Sequence, residues 1–227
     1  MSAIQQDVAA PVGSNLDIEA QSPQKPLTLK TLSPQHAAIV AEKKQANPAP
    51  LGLFAFALTT MMLMYVEAEW AEPGFVEVVV CTAIFFGGAV QIMAGMWEMA
   101  RGSTFAATAF SSYGGFWLGW AFLRVLKLAG FTFGPTTEGY ETAEALYLGT
   151  WGLFSFLMSL LLFGKPWALR LTFYILTLAF FLLVIGEFHE HAKQAGGYVG
   201  LVCAAGAAYT AFSEMVEETY HFKMPLM

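Results

Sequence analysis

Six long apolar runs dominate this sequence and leave few folds open to it. They cover roughly residues 50–66, 76–98, 104–124, 143–163, 168–187 and 196–214. Each approaches the roughly 20 apolar residues that a helix needs to cross a bilayer. Stretches such as FLMSLLLF do not alternate as the strands of a membrane β-barrel do. The sequence therefore predicts an all-α integral membrane protein with six transmembrane helices.

Charge and composition agree with lipid as the main solvent of this chain. Only 12% of the residues are charged, against about 25% in typical soluble domains. The formal net charge is −6, and no basic cluster occurs beyond Lys43 and Lys44, so we expect no nucleic-acid partner. The apolar runs carry almost no charge near their centres, which argues against a proton pump or a voltage sensor.

The residue patterns of common enzymes and cofactor sites are also missing from the sequence. It shows no nucleotide-binding loop, haem-ligand pair or nucleophile–base constellation. His189 and His191 are two residues apart and therefore do not share a helix face. We interpret them as solvated loop residues rather than metal ligands, and we expect neither enzyme activity nor a cofactor.

The chain divides into three regions. Residues 1–46 are rich in Gln, Ser, Pro, Ala and Lys without a sustained period, which is typical of a disordered tail. Residues 47–214 hold all six apolar runs and form the predicted transmembrane domain. Residues 215–227 form a short C-terminal tail.

The positions of Lys and Arg near the ends of the runs predict the orientation of the chain in the membrane. The richer side holds Lys43, Lys44, Arg101, Lys165, Arg170 and Lys223. The poorer side holds Arg124, Lys127 and Lys193. Because the richer side is the cytoplasmic one, we expect both tails in the cytosol.

Small residues recur at spacing four on two of the runs. The sixth run carries Gly196, Gly200, Ala204 and Ala208. The second carries Gly87, Gln91 and Gly95, with a polar amide in the middle of the stripe. Small residues let membrane helices approach closely, so both stripes predict tight helix contacts, within a protomer or between protomers.

The stretch NPAPLGL, residues 47–53, opens the first run with two prolines. A residue before proline avoids the α region, so the sequence predicts a helix that begins with Pro50. The amides then left without partners inside the helix are those of Leu51, Gly52 and Leu53. Such a helix start attracts anions. Asn47 either caps these amides itself or donates to a bound carboxylate, and the sequence alone leaves both readings open.

Hydroxyl groups concentrate in the third run, in the stretch SSYGG at residues 111–115. Uncharged polar groups at membrane depth suit the passage of a small polar solute, which must bind weakly enough to leave again. The alternative is that Ser and Thr bond back to their own helix. For the cluster around Tyr113 the two interpretations stand level.

Four sequence blocks together resemble one known family. They are NPAPLGL at 47–53, FFGGAVQIMAGMWE at 85–98, TFAATAFSSYGGFW at 104–117 and YLGTWGLFSF at 147–156. These blocks are similar to those of the acetate uptake transporter family, also called GPR1/FUN34/YaaH or succinate–acetate permease family. The resemblance implies six helices per protomer, a hexamer with one path in each protomer, and uptake of acetate and similar short carboxylates, often with protons.

The resemblance also implies roles for single residues. Members of the family have a hydrophobic constriction formed by a Phe, a Tyr and a Leu, which correspond here to Phe56, Tyr113 and Leu176. The Asn of the signature is important for transport in the family and corresponds to Asn47. The Gln of the second helix corresponds to Gln91.

Two alternatives to a proton-coupled transporter remain at this stage. One is a membrane sensor that binds acetate without moving it, and the other is channel-like conduction of the anion without proton coupling. We expect the chain in the plasma membrane, with an organelle membrane as the second choice.

Overall fold

The described part of the chain is α-helical and contains no β-strand. The computed structural model describes residues 45–131 and 137–227, except the side chains of 137 and 138. The tail predicted to be disordered lies almost wholly outside these residues. The described helices are α1 (Ala49–Glu67), α2 (Val76–Thr82), α3 (Gln91–Ala100), α4 (Thr104–Leu128), α5 (Thr137–Leu160), α6 (Trp167–Gly186) and α7 (Glu190–Tyr220).

The second apolar run is not a regular helix along its whole length. It starts with a 3₁₀ turn at Pro73–Phe75, continues through α2 and then widens into a π-helical segment at Ala83–Val90 before α3 begins. Hydrogen bonds in a π-helix join residues five apart, and such segments occur often at functional sites. Gln91 is the first residue of α3 and directly follows the π-helical segment.

Four helical stretches in the described residues are long and apolar enough to cross a membrane. They are Ala49–Glu67, Pro73–Ala100, Trp167–Gly186 and Glu190–Tyr220, and they coincide with four of the six predicted runs. The last helix is longer than the predicted run 196–214 at both ends. The other two runs correspond to α4 and α5, which have 25 and 24 residues but carry more polar groups.

Glycines bring α1 very close to two of its neighbours. A Cβ atom on Gly200 of α7 would lie 2.2 Å from Met64 Sδ, and one on Gly197 would lie 2.4 Å from the Ala68 backbone nitrogen. On the other side, a Cβ on Gly87 would lie 2.7 Å from Thr59 Oγ1. The two predicted small-residue stripes are therefore helix contacts within the protomer.

Aromatic side chains fill the centre of the bundle, and many large apolar side chains face outward. Phe85, Phe122 and Phe163 are more than half exposed, whereas Phe116 and Trp117 are buried. An outer surface so rich in apolar side chains is unsuited to water. It suits lipid or contact with further protomers, as expected for a multi-pass membrane protein.

We expect Gly197→Ala to destabilise the protein because its methyl group meets backbone atoms of the turn that follows α1, which cannot rotate away. Overpacking of this kind costs about 1–3 kcal/mol. The measurement is the apparent melting temperature in detergent. Gly115→Ala is the matched control, since a Cβ there meets nothing within 4 Å. Equal melting temperatures for the two variants would contradict the close approach of α7 to α1.

Candidate functional site

Three predicted residues from three different helices meet in the middle of the bundle. Phe56 of α1 and Tyr113 of α4 have ring centroids 5.7 Å apart with the rings tilted by 52°. Leu176 of α6 lines the same cavity as both of them. All three side chains are buried, with 7%, 3% and 6% of their surfaces exposed. They form a compact apolar contact with one hydroxyl group.

This contact separates two small cavities. The first has a volume of about 20 Å³ and lies towards the Asn47 end of the bundle, where Leu53 and Thr172 line it. The second has a volume of about 40 Å³ and lies towards the Glu67 end, where Leu63 lines it. Phe56 and Leu176 line both cavities, so these two side chains form the partition between them.

The partition is closed in this structure. A site needs roughly 10–15 Å³ of this kind of volume to hold one water molecule. The two cavities therefore have room for one to a few water-sized groups. A solute as large as a short carboxylate passes only when side chains at the partition move.

The hydroxyl groups near the partition fall into two classes. Ser155 Oγ donates to the Trp151 carbonyl at 2.8 Å and shares a hydrogen bond with Tyr113 Oη at 2.9 Å. Thr172 and Thr177 bond back to carbonyls of their own helix. In contrast, no partner within the described residues bonds to the buried hydroxyls of Thr59, Thr60 and Ser111. Both interpretations of the polar groups thus apply, each to its own set.

Gln91 is a buried amide beside the partition. It is 1% exposed and lines the cavity on the Asn47 side. Its Oε1 atom is buried and accepts no hydrogen bond from any described residue. An unsatisfied buried acceptor costs about 1–3 kcal/mol, so this group is suited to a donor that enters the cavity.

The start of α1 differs by one residue from the prediction. The helix begins at Ala49 rather than Pro50, and the Gly52 amide donates to the Pro48 carbonyl at 3.2 Å. The expectation of a free amide at Gly52 is therefore wrong. Gly52 packs against Phe110, since a Cβ there would lie 2.8 Å from the ring. Leu53 points into the bundle and lines a cavity, while the Leu51 side chain is 47% exposed.

Asn47 joins three parts of the chain. Its Oδ1 atom accepts from the Ala49 amide at 3.2 Å, which makes it the cap of α1, and from Arg101 Nη1 at 2.6 Å. Its Nδ2 atom donates to Glu214 Oε2 of α7 at 2.7 Å. Arg101 also lies 3.6 Å from Glu98. Sequence reasoning missed these contacts, although Arg101 was already placed on the same side of the membrane as Lys43 and Lys44.

The opposite end of the bundle carries a second group of charged side chains. Lys193 Nζ lies 3.4 Å from Glu67 Oε2, and Arg124 pairs with Glu144. Arg124 also lies 5.1 Å from the centre of the Trp120 ring. These pairs join α1 to α7 and α4 to α5, so each end of the bundle is tied by polar contacts.

Glu187 follows α6 at this same end and has an altered titration. Burial raises the pKa of Glu187 from 4.5 to about 7, and the neighbouring carboxylates Glu144 and Glu67 raise it further. Lys193 and Arg124 oppose this shift. The side chain therefore gains or loses its proton near neutral pH.

Taken together, the apolar helices, the polar groups within the bundle and the partition between two cavities define a multi-pass membrane transport protein. The sequence profile of the GPR1/FUN34/yaaH family matches residues 29–227. The chain belongs to this family.

Individual relatives cover most of the chain. It is 39% identical to acetate permease A of Emericella nidulans, over 81% of this chain and 66% of the permease, just under two thirds. It is 37% identical to the succinate-acetate/proton symporter SatP of Escherichia coli K12, over 78% of this chain and 92% of the symporter. The solved structure of the bacterial acetate channel SatP matches with a TM-score of 0.75 and 34% identity, over 81% of this chain and all of that one.

The raised pKa of Glu187 predicts a pH-dependent stability. Between pH 4.5 and about 7 the folded protein binds more protons at this side chain than the unfolded chain does. The free energy of unfolding therefore falls as pH rises through this range. We expect Glu187→Gln to lose this decline, so that its apparent melting temperature falls less than that of the wild type between pH 5 and 8.

The control for this measurement is Glu190→Gln, which removes an exposed carboxyl group three residues further along the chain. Its profile is expected to follow the wild type. Parallel profiles for the wild type and Glu187→Gln would show that Glu187 does not titrate differently in the folded protein.

Proposed function

We propose that this chain is a membrane transporter for acetate and related short-chain carboxylates. The observation that carries the proposal is the partition at Phe56 and Leu176, which divides two cavities in a bundle of apolar helices. The names of the relatives give the substrate class, since both the permease and the symporter are named for acetate.

The proposed architecture has six membrane spans per protomer and a homohexamer with a path through each protomer. Four spans are the long apolar helices, and α4 and α5 supply the other two. Their lengths of 25 and 24 residues suffice for a bilayer. The outward-facing apolar side chains supply surface for lipid and for neighbouring protomers. Both tails lie in the cytosol, and the plasma membrane is the proposed location.

The path begins at the Asn47 end, at the start of α1. Asn47, Leu51, Gly52 and Leu53 form the proposed entry on this side, and Gln91 lies further in beside the constriction. Phe56, Tyr113 and Leu176 form the constriction itself. Leu53 and Gln91 line the cavity between entry and constriction, which supports this order along the path.

Proton coupling follows from the apolar character of the constriction. A short carboxylic acid titrates near pH 4, as Asp and Glu side chains do, and is an anion at neutral pH. Transfer of an unpaired anion past apolar side chains is costly, and a proton carried with it lowers this cost. The Gln91 amide offers a donor and an acceptor, which matches a protonated carboxyl group. We therefore propose co-transport of acetate with a proton.

Channel-like conduction of the anion is the second candidate. The structural relative is described as an acetate channel, and the buried hydroxyls of Thr60 and Ser111 provide donors for an anion. In this mechanism the anion crosses without a proton, so its flux carries charge.

Purified protein in liposomes separates these mechanisms. We expect labelled acetate to accumulate when the outside is more acidic, and to do so equally with and without a potassium diffusion potential. A protonophore abolishes this accumulation if protons are co-transported. Uptake that follows the diffusion potential and ignores the protonophore would favour the channel. Protein that binds acetate without filling the liposomes would instead be a sensor.

Variants at the constriction test its assignment. We expect Phe56→Ala and Tyr113→Ala to raise uptake of butyrate relative to acetate by about tenfold, which corresponds to a barrier lower by about 1.4 kcal/mol. The reason is that each change removes a ring from a closed contact. Phe85→Ala, at a side chain that is 71% exposed, is the matched control. Selectivity equal to the control in both variants would place the constriction elsewhere.

A further inference from the structure

The contact between Asn47 and Glu214 holds a carboxylate of the protein itself at the proposed entry. Glu214 Oε2 accepts from Asn47 Nδ2 at 2.7 Å. A hydrogen bond from an amide to an ionised carboxylate is about twice as strong as one between neutral groups. The side chain of α7 therefore occupies the donor that a carboxylate substrate needs at Asn47.

Arg101 extends this contact into a site for a carboxylate. Its Nη1 atom holds Asn47 Oδ1 at 2.6 Å, and its side chain is 33% exposed. No further hydrogen bond within the described residues involves its other guanidinium nitrogens. A guanidinium group has five donors in a fork that fits carboxylates, so Arg101 has donors left for a second carboxylate that arrives from the aqueous side.

Glu98 shows that negative charge exceeds positive charge here. Its side chain is 4% exposed and lies 3.6 Å from Arg101. Its Oε1 atom accepts no hydrogen bond from the described residues. Glu98 and Glu217 repel the charge on Glu214, and only Arg101 attracts it. Three carboxylates thus face one guanidinium group, and an incoming anion meets repulsion until Glu214 leaves.

We propose that Asn47 and Arg101 form a carboxylate-binding site in which Glu214 is a built-in competitor of the substrate. This inference rests on the proposed function, because the competing ligand is the transported carboxylate. Glu214 and the substrate exclude each other from Asn47 Nδ2. The affinity for substrate at this end is therefore set by the strength with which Glu214 holds its place.

Acetate binding to the purified full-length protein tests this competition. We expect Glu214→Gln and Glu214→Ala to bind ¹³C-acetate about tenfold more tightly than the wild type in an NMR titration. Glutamine keeps an acceptor for Asn47 but loses the charge, whereas alanine loses both. If Glu214 only held the fold, Glu214→Gln would bind acetate as the wild type does and Glu214→Ala would bind it less tightly. Either result would overturn the inference.

Glu217→Gln is the matched control, because it removes the same charge from the same helix at a side chain that is 42% exposed and pairs with Lys223. We expect it to bind acetate as the wild type does. A tenfold gain in this control as well would overturn the inference, since a general change of charge would then explain the result.

Uptake into liposomes distinguishes failure of this inference from failure of the proposed function. Tighter binding in the Glu214 variants together with no uptake by the wild type would support the competition and refute transport. Uptake by the wild type together with unchanged binding in the variants would refute the competition and leave transport intact. Absence of acetate binding in all variants would also overturn the inference.

Discussion

The close approach of α1 to α7 and to the π-helical segment is the contact on which the rest of the structure depends. Helices in lipid gain little from apolar burial alone, so packing of small residues decides how closely they lie. Gly197, Gly200 and Gly87 remove the atoms that would push α1 away. Because α1 carries both Asn47 and Phe56, its position fixes the polar contacts at one end and the partition in the middle.

Much of this arrangement follows from local sequence patterns, and the exceptions have a common cause. Apolar runs and glycine spacing are properties of neighbouring residues, so the long helices and their contact stripes could be predicted. The π-helical segment could not, because its apolar residues show no distinct period. The contacts of Asn47 with Arg101 and Glu214 span 54 and 167 positions, and only the folded chain reveals them.

The same reasoning applies to the candidate site. Phe56, Tyr113 and Leu176 came from a family resemblance, and the structure brings them into one contact. The start of α1 was displaced by one residue because proline rules restrict single residues without fixing where hydrogen bonding begins. Which hydroxyl groups bond to their own helix and which stay without partners depends on neighbours that local sequence does not show.

The π-helical segment has a consequence for the orientation of everything after it. Each residue of an α-helix turns the chain by about 100°, so the number of residues in Ala83–Val90 sets the direction in which α3 faces. Gln91 opens α3 and Glu98 stands near its end. The amide beside the constriction and the acidic group near the entry therefore share one rotational setting. Insertion or loss of a single residue in this segment would turn both away together.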